Sequence, residues 1–255
     1  MKQVLADFHV HTLLSPCAEV EMTPHHIVLR AAQFGIGAVA VTDHNSSANV
    51  PAAVAAGKRC GVKVFPGMEI ECREEAHIVA LFDDLGQLEA WQAIVDGKMS
   101  GLKNDPERLG AQFVVDSDDN FIREEERMLH GPLLMSAEEA VAQVAGLGGI
   151  TVAAHVDRPS YSIIGQLGFI DPDMGFAAAE ISRFGWKQGA HASLQRLAGY
   201  LPWLTDSDAH NIMDFVRGPK NLLTVEELTV NELKLALASR NGRRCEPWKF
   251  AEYEE

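Results

Sequence analysis

The stretch Gln3-Val4-Leu5-Ala6-Asp7-Phe8-His9-Val10-His11 sets the reading of the whole chain. Gln3–Phe8 reads as a strand, and in a strand residues i and i+2 share a face, so His9 and His11 can reach one ion. In a chain with ten histidines such a pair says little alone. The positions of the other histidines and carboxylates give it weight. Asp43-His44 comes after the apolar run Gly37–Thr42, Glu69 after Val62–Phe65, and Asp208-Ala209-His210 after Gly199–Thr205. His155 closes Ile150–Ala154, while His77 opens Ile78–Phe82. Five of these six groups fall at the C-terminal end of an expected strand, where parallel α/β barrels gather their active sites.

Helical patterns separate the strands. Thr23 as N-cap and Pro24 at the first helical position open a helix to about Phe34, which stops at Gly35. Pro51–Cys60 is Ala-rich and helical, as is Leu88–Val95. Ser136 with Glu139 forms a capping box ahead of a helix to about Leu147, and Thr229 with Glu232 forms another ahead of the last helix, to about Ser239. This alternation predicts an α/β domain spanning 1–255 with a mostly parallel sheet, closed as a barrel or open and doubly wound. The segment from about Gly97 to Pro132 breaks the rhythm. It is polar, lacks core-building periodicity and reads as an insertion or lid. Its Asp116–Asn120 run imitates a calcium loop but lacks the glycine and closing glutamate such a loop needs, so it reads as a solvated turn.

The chain carries 22 basic and 36 acidic residues in 255, a formal charge of −14. That sign repels a phosphate backbone, so duplex nucleic acid is not expected as a partner. A small phosphorylated substrate stays compatible, because bound cations reverse the sign of a site locally. Cys17, Cys60, Cys72 and Cys245 form no CxxC pair. With no signal-type apolar core and no apolar run near the ~20 residues that span a bilayer, the expectation is a cytoplasmic protein without a membrane partner. Neither G-x-S-x-G nor HExxH occurs.

Taken in order, His9-Val10-His11, Thr42-Asp43-His44, Glu69, His77–Phe82, Ala153–His155 and Ser207–His210 resemble the PHP (polymerase and histidinol phosphatase) superfamily. The resemblance implies a distorted (β/α)7 barrel with two or three divalent ions, Zn, Mn or Fe. It implies one ion on His9, His11, Glu69 and Asp208, and a second on Glu69, His77 and His155. A third would take His44, His210 and a residue just after the first motif. Relatives often have His or Asp there; here Cys17 and Glu19 are the available donors. Arg158 is the basic residue expected to contact phosphate, with a surface ion pair to Asp157 or a neighbour as the alternative. Arg183 is a second candidate, and Asp43 is expected to orient a ligand. His25, His26, His130 and His191 read as outside the site. The implied activity is a metal-dependent phosphoric ester hydrolase that cleaves a small phosphomonoester, histidinol-phosphate-like or nucleotide-like, by attack of a metal-bound hydroxide. The alternatives are a phosphodiesterase or exonuclease on short oligonucleotides, or a non-catalytic metal-bound regulatory module.

Overall fold

In the computed structural model, which describes residues 1–248, the chain opens with β1 (Lys2–Val10), α1 (Pro24–Gln33), β2 (Ile36–Val41), α2 (Val50–Cys60) and β3 (Lys63–Glu71). β4 (His77–Leu81) and α3 (Leu85–Asp96) follow. A polar excursion then carries α4 (Pro106–Leu109), β5 (Phe113–Val115) and β6 (Phe121–Glu124). The main sheet resumes through α5 (Ala137–Gly146), β7 (Ile150–Ala153), α6 (Ile163–Leu167), β8 (Ala178–Glu180), α7 (Arg183–Gln188), α8 (Ala190–Ala198) and β9 (Trp203–Leu204). It closes with α9 (Ile212–Arg217), β10 (Lys220–Val225), α10 (Val230–Leu237) and β11 (Arg244–Trp248).

Apart from the β5–β6 pair, the described strands form one sheet in the order β11-β10-β1-β2-β3-β4-β7-β8-β9. Beyond β9, Ala209 bridges back to Val10 of β1, and its carbonyl accepts the His11 N–H at 3.1 Å. This bridge brings the far edge round to the first strand, so the sheet is a nearly closed α/β barrel. β10 and β11 extend it beyond β1. Alternate residues of β2 pack on opposite faces, Ala38 and Ala40 with Phe8 and Phe65, and Val39 and Val41 with the surrounding helices' side chains.

The sheet is less parallel than the alternation predicts. β1-β2-β3 and β7-β8-β9 are parallel, but β4 runs antiparallel to both β3 and β7. The reason is reach. Only five residues separate Glu71 from His77, whereas a parallel crossover needs roughly a dozen. β3 also runs further than expected, so Glu69 lies inside it. Beside it, a Cβ on Gly67 would meet Thr42 Cγ2 at 2.8 Å and the Val41 carbonyl at 3.0 Å. Only glycine allows this approach.

Helix starts follow the local signals. The Thr23 hydroxyl accepts the His26 N–H, and the Ser136–Glu139 box is complete. The Thr229 cap is half of the expected box: Thr229 accepts the Glu232 N–H, but the Glu232 carboxylate takes Arg243 and the Glu226 N–H instead. The polar excursion is a small structured unit, whose β5–β6 hairpin packs Val114 with Leu129 and Leu14. Its Asp116 carboxylate accepts from Asp118 and Asn120 N–H groups as a tight turn.

Candidate metal centre

The groups named from sequence meet at one mouth of the barrel. His9 and His11 leave the end of β1, Asp43 and His44 follow β2, and His155 follows β7. Asp208 and His210 follow β9. His77 opens β4 because β4 is antiparallel: its first residue pairs with Glu71 and so reaches the same rim as the C-terminal end of β3. His155 and Asp208 have left-handed backbones, φ 28° and 46°. Non-glycine residues rarely tolerate these values, which place both side chains as the chain turns off its strand.

Glu69 is the centre, 1% exposed. One carboxylate oxygen lies 3.2 Å from His9 Nε2, 3.0 Å from His77 Nδ1 and 3.3 Å from His155 Nε2. The other lies 3.3 Å from His11 Nε2 and 3.1 Å from His44 Nδ1. Asp208 Oδ1 sits 3.4 Å from both His9 and His11 Nε2, and those two nitrogens are 3.2 Å apart.

The hydrogen-bond network settles which nitrogens face inward. His9 Nδ1–H donates to Glu180 at 2.8 Å. Ser15 gives its hydroxyl hydrogen to Asp43 at 2.7 Å, so its oxygen accepts His11 Nδ1–H at 2.9 Å. Asp43 also accepts the Thr12 N–H and hydroxyl, both at 2.7 Å. The two Nε2 atoms thus aim at each other and at two carboxylates, an arrangement that demands positive charge. Donor spacings of 3.2–3.4 Å match the edge of a tetrahedron around an ion with bonds of roughly 2.0–2.1 Å. The donor set fits a divalent cation.

Protonation points the same way. Burial pushes His9 down, but Glu180, Glu69 and Asp208 outweigh it and hold the imidazole well above its ordinary value. His11, likewise buried against Asp208 and Glu69, is pushed up to about 9. A potential that holds a proton on imidazole also holds a cation. Burial would raise Glu69 and Asp208, yet the surrounding histidines keep both well below the carboxylate range. His44 and His210 differ: burial lowers both, His210 to about 4, leaving neutral donors.

Around His44 two further triads have donor atoms within 4.8 Å of one another: His11, His44 and His210, and Cys17, His44 and His130. Cys17 therefore comes to the cluster. Glu19 does not; it is exposed and joins through its backbone N–H, which donates to the His210 carbonyl at 2.8 Å. His130, read from sequence as outside the site, is carried in by the polar excursion, its ring 4.3 Å from that of His44. Asn45 clamps it there, donating to the carbonyls of Leu129 and Gly131. The flanking Met128-Leu129 and Gly131-Pro132 carry no sequence signal of this placement, and nothing in periodicity marks it.

Arg158 borders the cluster, its guanidinium 2.5 Å from Asp208 and not on Asp157. Asp157 instead accepts the Ser182 N–H and hydroxyl. Arg183 points elsewhere, into an ion pair with Asp214 and over the Phe184 ring. Below the cluster lies a buried pair missed in the sequence, Lys220 and Asp7 at 2.9 Å. Asp7 also accepts the Ser207 N–H and so fixes the turn into Asp208. Above, a cavity of about 200 Å³ opens between Glu69, His155, Arg158, Tyr161 and Asp208.

The PHP domain family matches residues 7–159 of this chain, which hold most of the cluster. The chain belongs to the PHP domain family. Among curated relatives, the PolC-type DNA polymerase III of Streptococcus mutans is 34% identical over 125 residues, covering 46% of this chain and 8% of the polymerase. The 5′-3′ exoribonuclease Rnm of Salmonella typhimurium is 37% identical over 87 residues, 32% of this chain and 29% of the relative. The chain thus spans a small part of the relatives it matches. Among solved structures, Endonuclease Q bound to a 27-mer duplex with an abasic lesion aligns over 95% of this chain and 58% of its own, with TM-score 0.65 and 19% identity, a likeness of fold.

These findings overturn the exclusion of duplex nucleic acid: the same PHP fold accommodates a duplex in Endonuclease Q, and Rnm is an exoribonuclease. Net charge misleads here because −14 is a sum over the whole chain and does not say where the charges lie. At the mouth of the barrel Glu69 and Asp208 lie among histidines, so the local field there differs from what the total suggests. As for membranes, no described helix is long and apolar enough to cross one.

Proposed function

We infer that this PHP chain hydrolyses phosphodiester bonds in nucleic acid. The observation that carries the reading is the Glu69-centred cluster beneath a half-open cleft edged by Arg158. His9, His11, Glu69 and Asp208 are assigned one divalent ion, and Glu69, His77 and His155 a second. His44 with His210, Cys17 or His130 is assigned a third. Imidazole and carboxylate donors suit Zn, Mn or Fe. When bound, such ions supply Lewis acidity at phosphorus and activate water. The chain's own part is to bind and orient. Arg158 holds a planar fork over the cleft, ready to exchange Asp208 for two phosphate oxygens. Glu180, Ser15 and Asp43 keep the β1 imidazoles turned inward. Arg183, engaged with Asp214, is assigned no role at the phosphate.

The nucleic-acid reading is further supported by three similar proteins whose names describe a polymerase, an exoribonuclease and an endonuclease. It is tested by incubating metal-loaded protein with single-stranded DNA and RNA, a duplex with an abasic lesion, and a panel of phosphomonoesters. Cleavage of a diester, abolished by chelator and by Glu69→Gln, is the expected result. Turnover of phosphomonoesters alone would overturn it.

A further inference from the structure

Tyr161 stands at the mouth of the cluster with its side chain in the open. It is 49% exposed and lines the same cavity as Arg158 and Asp208. Its ring stacks on His77, centroids 5.0 Å apart and planes 30° from parallel. The backbone there is left-handed, φ 58°, a conformation bulky residues avoid unless their surroundings impose it. The imposition is visible. The Tyr161 carbonyl accepts the His77 N–H at 3.0 Å, and the next residue, Ser162, caps α6 by accepting the Gly165 N–H. One ring face rests on His77 and the rest faces the cleft. Among the exposed large aromatic side chains of the described residues, Tyr161 alone lines this cavity.

A fixed, exposed aromatic ring beside phosphate-binding groups offers what a nucleobase needs. Every base has a π face, so such a platform accepts any of them. One sugar separates phosphate from base in a nucleotide, and Tyr161 is one side chain removed from Glu69, with His77 between them. We propose that Tyr161 is a specificity-determining residue that stacks the base next to the scissile phosphate. The site then takes a nucleotide whose base has left its helix stack, in a single strand, a frayed end or a lesion. This rests on the nucleic-acid reading of the site.

The test compares a short single strand carrying normal nucleotides with one carrying an abasic residue on either side of the scissile phosphate. The readout is the ratio between the two, as kcat/KM with Mn-loaded protein and as Kd for hydrolysis-resistant phosphorothioate strands. In Tyr161→Gly the preference for the base should fall roughly 5- to 150-fold, the scale of one base–aromatic stack. Tyr161→Phe should keep it. Glycine suits the left-handed backbone, so Tyr161→Gly should melt close to wild type, and metal counting checks that His77 has kept its ion. No preference in the wild type, or an equal loss on both strands in Tyr161→Gly, overturns the proposal. If only phosphomonoesters are hydrolysed, the nucleic-acid reading fails by itself. The ring is then judged on nucleoside 5′-monophosphate against ribose 5-phosphate: a ratio that collapses in Tyr161→Gly supports it, and an unmoved ratio overturns it.

Discussion

The two arms of the cluster are held in different ways. On the β1 arm each outward nitrogen has an acceptor: His9 Nδ1 on Glu180, and His11 Nδ1 on Ser15, itself backed by Asp43. On the β4–β7 arm, His77 Nε2 and His155 Nδ1 have no hydrogen-bond partner among the described residues; a carboxylate oxygen of Glu71 is 4.0 Å from His77 Nε2. An imidazole with a fixed tautomer and orientation loses less on binding an ion, and its acceptor makes it a stronger base. The β1 arm is therefore oriented ahead of any ion, and the β4–β7 arm lacks such outer acceptors. Glu69 belongs to both, and Arg158 reaches from the loop after β7 to Asp208, which serves the β1 arm.

The largest effect belongs to the residue the arms share. Glu69→Gln should lower kcat/KM on the order of 1000-fold or more, as for the loss of the metal-bridging charge, and should cost metal on both arms by elemental analysis. His77→Ala should be milder and cost only one equivalent. If Glu69→Gln kept two equivalents, the shared-centre picture would break.

Next comes the residue that spans the arms. Arg158→Ala should lower kcat/KM roughly 10- to 150-fold, the scale of one charged hydrogen bond, with metal content unchanged because a guanidinium is no ligand. Full activity would reduce Arg158 to an ion pair with Asp208.

The contrast itself is read by chelator competition. Glu180→Gln or Asp43→Asn should weaken the tighter ion by roughly 10- to 100-fold, the usual size for an outer partner of a ligating histidine. Glu71→Gln on the other arm should change little, since Glu71 makes no hydrogen bond to His77. Equal losses from both sides would erase the distinction between the arms.

The smallest effect separates both arms from the polar excursion that brings His130 to them. Burial would raise Glu125, but its bonds to Arg127 and Arg123 prevail and hold it down to about 2, below its ordinary 4.5. A depressed carboxylate stabilises the fold above its unfolded-state value, so this contribution is intact above about 4.5 and fades as pH falls towards about 2. Protection factors over residues 112–127, corrected for the intrinsic pH dependence of exchange, should therefore fall as pH drops from 5 to 3. The change should be modest, because Arg123 and Arg127 are partly exposed to solvent. Unchanged protection would show that Val114, Leu129 and Leu14 hold the excursion without that ion pair.

What the sequence determined by itself is what local rules govern. Apolar runs ending in histidine or carboxylate marked the strands and the mouth of the barrel. The two-residue period put His9 and His11 on one face, and Thr23 and Ser136 announced their helices. Four features waited for the tertiary structure. His77 reaches the mouth from the start of its strand because a five-residue link turned β4 back. Glu180 meets His9 across 171 positions, on a three-residue strand too short to show a pattern. His130 arrives on an excursion without periodicity, and Arg183 is claimed by Asp214. The inward face of a carboxylate is likewise invisible to a charge count, which is why −14 misled on duplex nucleic acid. Secondary structure and residue type follow from neighbours in the chain; partners, orientation and local field follow from which strands the barrel sets side by side.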